Sequence, residues 1–199
     1  MPYRLSPTPI LGEEPIIKVG QSGLSTEQLD RIVAIGDELV ATPAHVGFGD
    51  SRRLDPSYRH CKIAWINATP DALWIFDEIA RIVGDANARF WNYDLWEIRD
   101  ALQYTVYEGS ELSYFDWHRD NGDFYGGPPR KLSLSLLLSD PADYDGGDFE
   151  FSMGDARKVS YKDRGTMIVF PSWLFHRVLP VTRGVRKALV AWVAGPRFR

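Results

Sequence analysis

The sequence predicts a mainly β fold with flanking helices: a double-stranded β-helix, or jelly roll, whose N-terminal helices pack on one sheet. Three observations predict it. Short alternating apolar segments succeed one another from Leu102 to Val193, parted by turns rich in Gly, Asp and Pro. Two amphipathic helical patterns, opening near Ser25 and Thr69, come before those strands. No linker divides the 199 residues into two self-sufficient halves, so the chain reads as one domain.

Residues 1–20 read as an extended N-terminal arm, with neither the apolar run of a signal peptide nor the length of a membrane span. Ser25-Thr26-Glu27-Gln28 has the form of a capping box. Leu29, Ile32, Val33, Gly36, Leu39 and Val40 then recur at helical spacing, predicting one stripe that packs on a sheet. From Ala41 to Arg59 the pattern dissolves among Pro43, Gly47, Gly49 and Pro56. A loop of that length is either a lid over a binding site or a solvated insertion. Cys61–Ile66 alternates as a strand. Thr69 as cap and Pro70 at the first helical position open a second helix, with Gly84 as its stop.

Beyond it the chain turns to strands. Trp91–Ile98 alternates imperfectly, and Leu102–Tyr107 follows with Gln103, Thr105 and Tyr107 on one face. After a breaker-rich loop from Asn121 to Pro129, residues Lys131–Leu138 alternate leucines with Lys131, Ser133 and Ser135. That pattern buries one face and leaves room for a ligand on the other. Asp148–Phe151, Val159–Tyr161 and Thr166–Phe170 are further short strands between glycine turns.

Composition narrows the function classes. Aromatics at 13%, with seven Trp, exceed what a disordered segment carries. A net charge of -4 gives no broad electrostatic footprint for nucleic acid, so no nucleic-acid partner and no membrane partner are expected. A single cysteine, Cys61, excludes an internal disulfide framework and fits a cytoplasmic protein. Oligomeric state is not encoded in any pattern here.

The chemistry centres on His118-Arg119-Asp120, His176 and Arg186. On an extended segment His118 and Asp120 point the same way, so they offer an imidazole nitrogen and a carboxylate oxygen to one ion, with Arg119 facing away. His176, inside the apolar stretch Phe170–Val178, is the third candidate ligand. Two imidazoles and a carboxylate on one face leave positions open, the arrangement of non-haem Fe(II) sites rather than of a structural zinc. The competing reading is a turn aspartate, since Asn121-Gly122 follows, beside an ordinary core histidine. Arg186 shares a strand face with Ala188, Val190 and Trp192, and an arginine on an apolar face calls for a carboxylate. His45 and His60 lack a ligand partner at alternating or helical spacing and read as ordinary histidines.

The run His118-Arg119-Asp120, Arg130-Lys131-Leu132-Ser133, Leu138-Ser139-Asp140-Pro141, Tyr144-Asp145-Gly146-Gly147, His176, Pro180-Val181 and Gly184-Val185-Arg186 resembles the prolyl 4-hydroxylase type of 2-oxoglutarate and Fe(II)-dependent oxygenases. It is most similar to the small bacterial and phage PKHD-type hydroxylases. The resemblance implies one oxygenase domain over 1–199, with a cupin-like catalytic core over 101–194. It implies Fe(II) held by His118, Asp120 and His176, with O2 and 2-oxoglutarate as co-reactants and ascorbate as an optional auxiliary reductant. It also implies that Arg186, Tyr107 and Gln103 contact the cosubstrate. Several animal prolyl hydroxylases carry a second cosubstrate-binding tyrosine where this chain has Leu137. The implied reaction hydroxylates an unactivated C–H bond and releases succinate and carbon dioxide. A peptidyl residue, prolyl first, is the implied substrate; a free amino acid or small metabolite, or a non-catalytic metal-binding jelly roll, are the alternatives.

Overall fold

The computed structural model describes residues 16–47, 53–98, 100–121, 127–159 and 161–197. In chain order these form β1 (Lys18–Gln21), α1 (Thr26–Asp37), β2 (Thr42–Pro43), β3 (Arg59–His60), β4 (Lys62–Ile66), α2 (Leu73–Phe90) and β5 (Glu97–Ile98). Next come β6 (Leu102–Glu108), β7 (Tyr114–His118), β8 (Arg130–Leu137), β9 (Tyr144–Gly146), β10 (Phe149–Met153) and β11 (Asp155–Val159). The last are β12 (Thr166–Pro171), β13 (His176–Val178) and the long β14 (Val181–Ala194).

These strands form the expected two-sheet jelly roll. The larger sheet runs β1-β12-β8-β14-β6-β4-β2, with β5 and β9 attached to β14; the smaller runs β11-β10-β13-β7-β3. Every pairing is antiparallel, so side chains alternate between two different environments. On the outer face of the larger sheet, Leu102 and Tyr104 of β6, Leu136 of β8 and Leu189 of β14 meet Ile32 of α1 and Ile75 and Ile79 of α2. Gln103, Thr105 and Tyr107 and, from β14, Arg186, Ala188 and Val190 point the other way, into the space between the sheets. A second apolar cluster closes that space around Ile63, Phe151, Phe170 and Val181. The period of two thus splits each central strand into a helix-facing side and a cavity-facing side.

Ser25 caps α1 as expected: its hydroxyl accepts from Gln28 N–H while the Gln28 side chain accepts from Ser25 N–H. The helix ends at Asp37, however, so Leu39 and Val40, expected to continue its packed stripe, lie beyond the helix and are 38% and 86% exposed. Gly36 explains how close α1 approaches the sheet, since a Cβ there would stand 2.5 Å from the Tyr104 ring. That ring is buried, and its hydroxyl donates to Asp37 at 2.7 Å, so it cannot swing aside. Gly36→Ala should therefore lower unfolding free energy by on the order of 1 kcal/mol, overpacking outweighing the helix propensity that alanine gains. A urea titration with midpoint unchanged or raised would contradict this packing.

Several boundaries differ from the sequence expectation. The second helix starts at Leu73 rather than Pro70, because the Thr69 carbonyl accepts from both Ala72 and Leu73 N–H in a preceding turn. It also continues through Gly84. That residue sits on the exposed face, and its propensity cost of about 1 kcal/mol is outweighed by burial of Val83 and Ala86 beside it. Of the strand expected over Trp91–Ile98 only β5 forms. Asn92 takes a left-handed conformation (φ 51), and the Asn87 side chain bonds both N–H and C=O of Tyr93, holding the chain in a turn. The arm expected over 1–20 contains part of β1 at the edge of the larger sheet; residues 1–15 lie outside the described residues. The lid expected over 41–59 is described only in part, without 48–52, and residues 122–126 of the loop after Asp120 also lie outside. No helix of the described residues is long and apolar enough to cross a membrane.

Candidate active site

His118 is the last residue of β7 and His176 the first of β13, and the two are direct partners in the antiparallel ladder. Cross-strand pairing therefore brings together residues far apart in sequence, with ring centres 4.1 Å apart. Asp120 was expected on the same strand as His118, but the strand stops at His118. Asp120 sits in the bend beyond, fixed by its N–H donating to Ser172 C=O at 2.9 Å. Its carboxylate still reaches both rings: Oδ1 is 3.8 Å from His118 Nε2 and Oδ2 is 3.5 Å from His176 Nε2. One ligand atom from each residue lies within 4.8 Å of the others.

The backbone sets the tautomers. His118 Nδ1 lies 2.7 Å from Asp116 C=O, and His176 Nδ1 lies 2.9 Å from Leu174 C=O. A carbonyl only accepts, so each Nδ1 carries the hydrogen and each Nε2 turns a lone pair toward Asp120. Aromatic rings fix the planes, Phe115 stacking on His118 at 3.5 Å and Phe149 lying parallel to His176 at 5.4 Å. Burial pushes the His118 imidazolium well below its usual range, and the neighbouring His176 adds to this. Burial opposes ionisation of Asp120, but the neighbouring His176 and His118 rings, the Arg130 guanidinium and a hydrogen bond from Ser133 still hold its carboxyl below the ordinary value. Neutral nitrogen at His118 and anionic oxygen at Asp120 are the states a divalent metal needs.

This donor set opens on a cavity of about 690 Å³. Arg186 lines it at 4% exposure, its guanidinium carbon 5.4 Å from the Tyr107 ring centre and its Nε without a hydrogen-bond partner among the described residues. Gly147 makes room for it, since a Cβ there would stand 2.7 Å from Arg186 Cδ. Burial pushes the Tyr107 hydroxyl up, with the nearby Cys61 thiol adding to this and the guanidiniums of Arg59 and Arg186 opposing it. Gln103 shares the cavity wall, but in register it faces Val190 while Tyr107 faces Arg186. Four residues of strand rise, about 13 Å, separate it from the Tyr107 level. Its amide nitrogen is given to Thr105 Oγ1 at 2.9 Å. His118, Asp120, His176, Arg186 and Tyr107 thus converge, whereas Gln103 stands at the other end of the row. Arg119 is exposed and lies over Phe175, as its alternation predicts.

Three participants escaped the sequence reading. Ser133 Oγ donates to Asp120 Oδ2 at 2.7 Å and lies 2.9 Å from Ser172 Oγ, so two serines from different strands orient the carboxylate. Ser133 does lie on the small polar face of its strand, the available signal; Ser172 had none. Arg59 is the third, 8% exposed on the cavity wall. Carrying the alternation of Ile63 and Cys61 back two residues would have placed it on the inner face.

Two imidazoles and a carboxylate with oriented outer partners, open to a cavity lined by a buried arginine whose Nε has no hydrogen-bond partner among the described residues, fit Fe(II) and a dicarboxylate cosubstrate. The family model of the 2OG-Fe(II) oxygenase superfamily matches residues 102–194, which span β6 to β14 and all of these ligand candidates. Over those residues the chain is similar to that superfamily. Within it, the likeness is to the PKHD-type and prolyl 4-hydroxylase-like group. PKHD-type hydroxylase PiuC of Pseudomonas aeruginosa is 35% identical over 125 residues, covering 57% of this chain and 55% of that protein. A PKHD-type hydroxylase of Nitrobacter winogradskyi is 46% identical over 61 residues, 31% of this chain and 27% of that one. The chain spans about half the length of PiuC. Among solved structures, a Pseudomonas putida prolyl-4-hydroxylase superposes with a TM-score of 0.67 at 20% identity, covering 92% of this chain and 94% of that one. A Trichoplax adhaerens prolyl hydroxylase, solved with a hypoxia inducible factor oxygen degradation domain peptide, gives 0.73 at 19% identity over 90% and 84%. At those identities the structures establish the fold.

Proposed function

We propose that the protein is an Fe(II)- and 2-oxoglutarate-dependent hydroxylase, with His118, Asp120 and His176 holding the metal and Arg186 and Tyr107 receiving the distal carboxylate of the cosubstrate. The carrying observation is that the ligand triad and a buried guanidinium lacking a partner at Nε open on one cavity. When bound, the iron and 2-oxoglutarate together supply the oxidation: one oxygen atom of O2 enters succinate as carbon dioxide leaves, and the other enters a C–H bond of the substrate.

The chain's own residues position and exclude. Asp116 and Leu174 carbonyls keep both imidazoles in the donor tautomer, and Ser133 holds Asp120 from behind. Phe149, Phe170 and Val178 keep the His176 side of the cavity apolar, which shields the reacting carbon from water. No protein residue has to move a proton at the oxidised carbon. Gln103, at the far end of the row, faces the substrate rather than the cosubstrate.

A peptidyl residue, prolyl first, is the substrate this reading favours, because fold relatives are prolyl hydroxylases and one was solved with a peptide bound. A free amino acid is the second reading, favoured by the buried Arg59 on the cavity wall. Incubation of the full chain with Fe(II), 2-oxoglutarate and O2 should release succinate even without substrate. Mass spectrometry of proline-containing peptides and free amino acids should then find products heavier by one oxygen. Absence of any metal-dependent succinate would overturn the oxygenase reading.

A further inference from the structure

Arg59 presents a second buried cation, to which the metal and cosubstrate assignments above give no role. It stands where β3 of the smaller sheet passes into β4 of the larger, one residue before the crossing at His60 and Cys61. Only 8% of it is exposed. Its Nε donates to Cys61 Sγ at 3.3 Å and one terminal nitrogen to the His45 carbonyl at 3.4 Å, both neutral acceptors. The other terminal nitrogen, Nη2, is buried with no hydrogen-bond partner among the described residues. Arginine ion pairs among the described residues involve Arg53, Arg81, Arg130, Arg164, Arg177 and Arg183, and neither Arg59 nor Arg186. A buried guanidinium without an anion is costly, and two of them lining one cavity call for two anions.

The position of Arg59 says which anion is its own. The Phe115 ring touches both it and the metal site, its centre 4.3 Å from the Arg59 guanidinium carbon and 3.5 Å from the centre of His118. Arg186 lies on the opposite sheet, beside Tyr107 and Gly147. A 2-oxoglutarate molecule has two carboxylates: the function proposed above commits the distal one to Arg186, and the other, next to the keto group, would be taken by the metal held at His118, Asp120 and His176. Neither is left for Arg59. We infer that Arg59 binds a carboxylate of the substrate itself, so that the protein hydroxylates an acid: a free amino acid, or a peptide whose terminal or side-chain carboxylate lies next to the oxidised residue. The stacked Phe115 holds the guanidinium plane, and a planar fork suits a carboxylate in bidentate geometry.

This inference rests on the oxygenase reading, and the test separates the two. Succinate release by the full-length wild type with Fe(II) is measured with free L-proline, N-acetyl-L-proline and a proline–aspartate peptide, each against its carboxamide or asparagine partner. Acids should stimulate, and the neutral partners should do so at least about tenfold less, the ratio expected when a buried charged hydrogen bond loses its partner. The free amino acid and the peptide acid distinguish the two sources of carboxylate. Stimulation by the neutral partners equal to that of their acids, or by no acid of the set, overturns the inference. No succinate under any condition overturns the oxygenase reading on which it depends.

Calorimetric titration with 2-oxoglutarate, using Mn(II) in place of Fe(II), supplies a readout apart from turnover. Arg59→Met should weaken cosubstrate binding less than about threefold, against about a hundredfold for Arg186→Met. Equal losses would assign Arg59 to the cosubstrate and overturn the inference. Arg59→Lys, which keeps the charge but not the fork, should preserve a reduced preference for acids over amides; loss of all preference with succinate release intact overturns it. Should Arg59→Met fail to fold, the lysine variant and the wild-type acid and amide pairs still decide the matter.

Discussion

Asp120→Ala should abolish Fe(II)-dependent succinate formation and, with it, stabilisation of the protein by a divalent metal. The reason is electrostatic as well as geometric. Asp120 is the anion of the triad, it stands within 4 Å of both imidazole Nε2 atoms, and Ser133 and the Ser172 backbone exist in their present positions to hold it. Removing an outer hydrogen-bond partner typically weakens a metal site by about 10–100-fold, so removing the charged ligand itself should exceed that range. Metal at about a hundred times its dissociation constant stabilises a folded protein by about 2.7 kcal/mol. Thermal unfolding with and without Mn(II) should therefore show a clear shift in the wild type and none in the variant at the same concentration. The metal-free variant should still unfold cooperatively, because the core around Phe151 and Phe170 does not depend on the carboxylate. A variant that keeps the Mn(II) shift would remove Asp120 from the ligand set.

Why so much of this site was readable, and the remainder not, follows from the range of the interactions. Strand alternation is local, so the cavity-facing row of Gln103, Thr105 and Tyr107 and the placement of Arg186 beside Ala188 and Val190 were visible from spacing alone. His118 and Asp120 were paired correctly for a partly wrong reason: the strand ends at His118, and a hydrogen bond to Ser172 rather than strand geometry aims the carboxylate. Ser172 and Ser133 could not be linked to Asp120 in advance, because their contact joins three separate segments across a sheet edge. Arg59 carries no strand signal in the sequence, since β3 is two residues long, too short to impose a period. The helix ends failed similarly, where tertiary burial at Val83 and Ala86 overrode a glycine and an Asn87 side chain held a turn beyond the helix.

Arg186→Met should change two observables in opposite directions, which separates a ligand anchor from a structural arginine. In the protein without cosubstrate, the wild-type guanidinium is 4% exposed and its Nε lacks any partner among the described residues. An unpaired charge in that setting destabilises the fold, so an apolar side chain of similar length should leave stability unchanged or raise it, by on the order of 1 kcal/mol. Met fits the requirement because it is unbranched and can lie in the space that Gly147 leaves open at Arg186 Cδ. Affinity for 2-oxoglutarate should fall at the same time by about a hundredfold, since the bound carboxylate loses a charge-assisted partner inside a buried site. Arg186→Lys should fall between the two, keeping the charge while losing the planar pair of donors. Leu137 sharpens the expectation: Tyr107 is the tyrosine placed beside Arg186, and the position that could have supplied a second hydroxyl is apolar, so less remains to hold the carboxylate once the guanidinium is gone. Urea unfolding of the apo variants and calorimetry with 2-oxoglutarate measure the two quantities independently. If Arg186→Met destabilised the apo protein by several kcal/mol while leaving affinity intact, Arg186 would be part of the scaffold and the anchor assignment would fall.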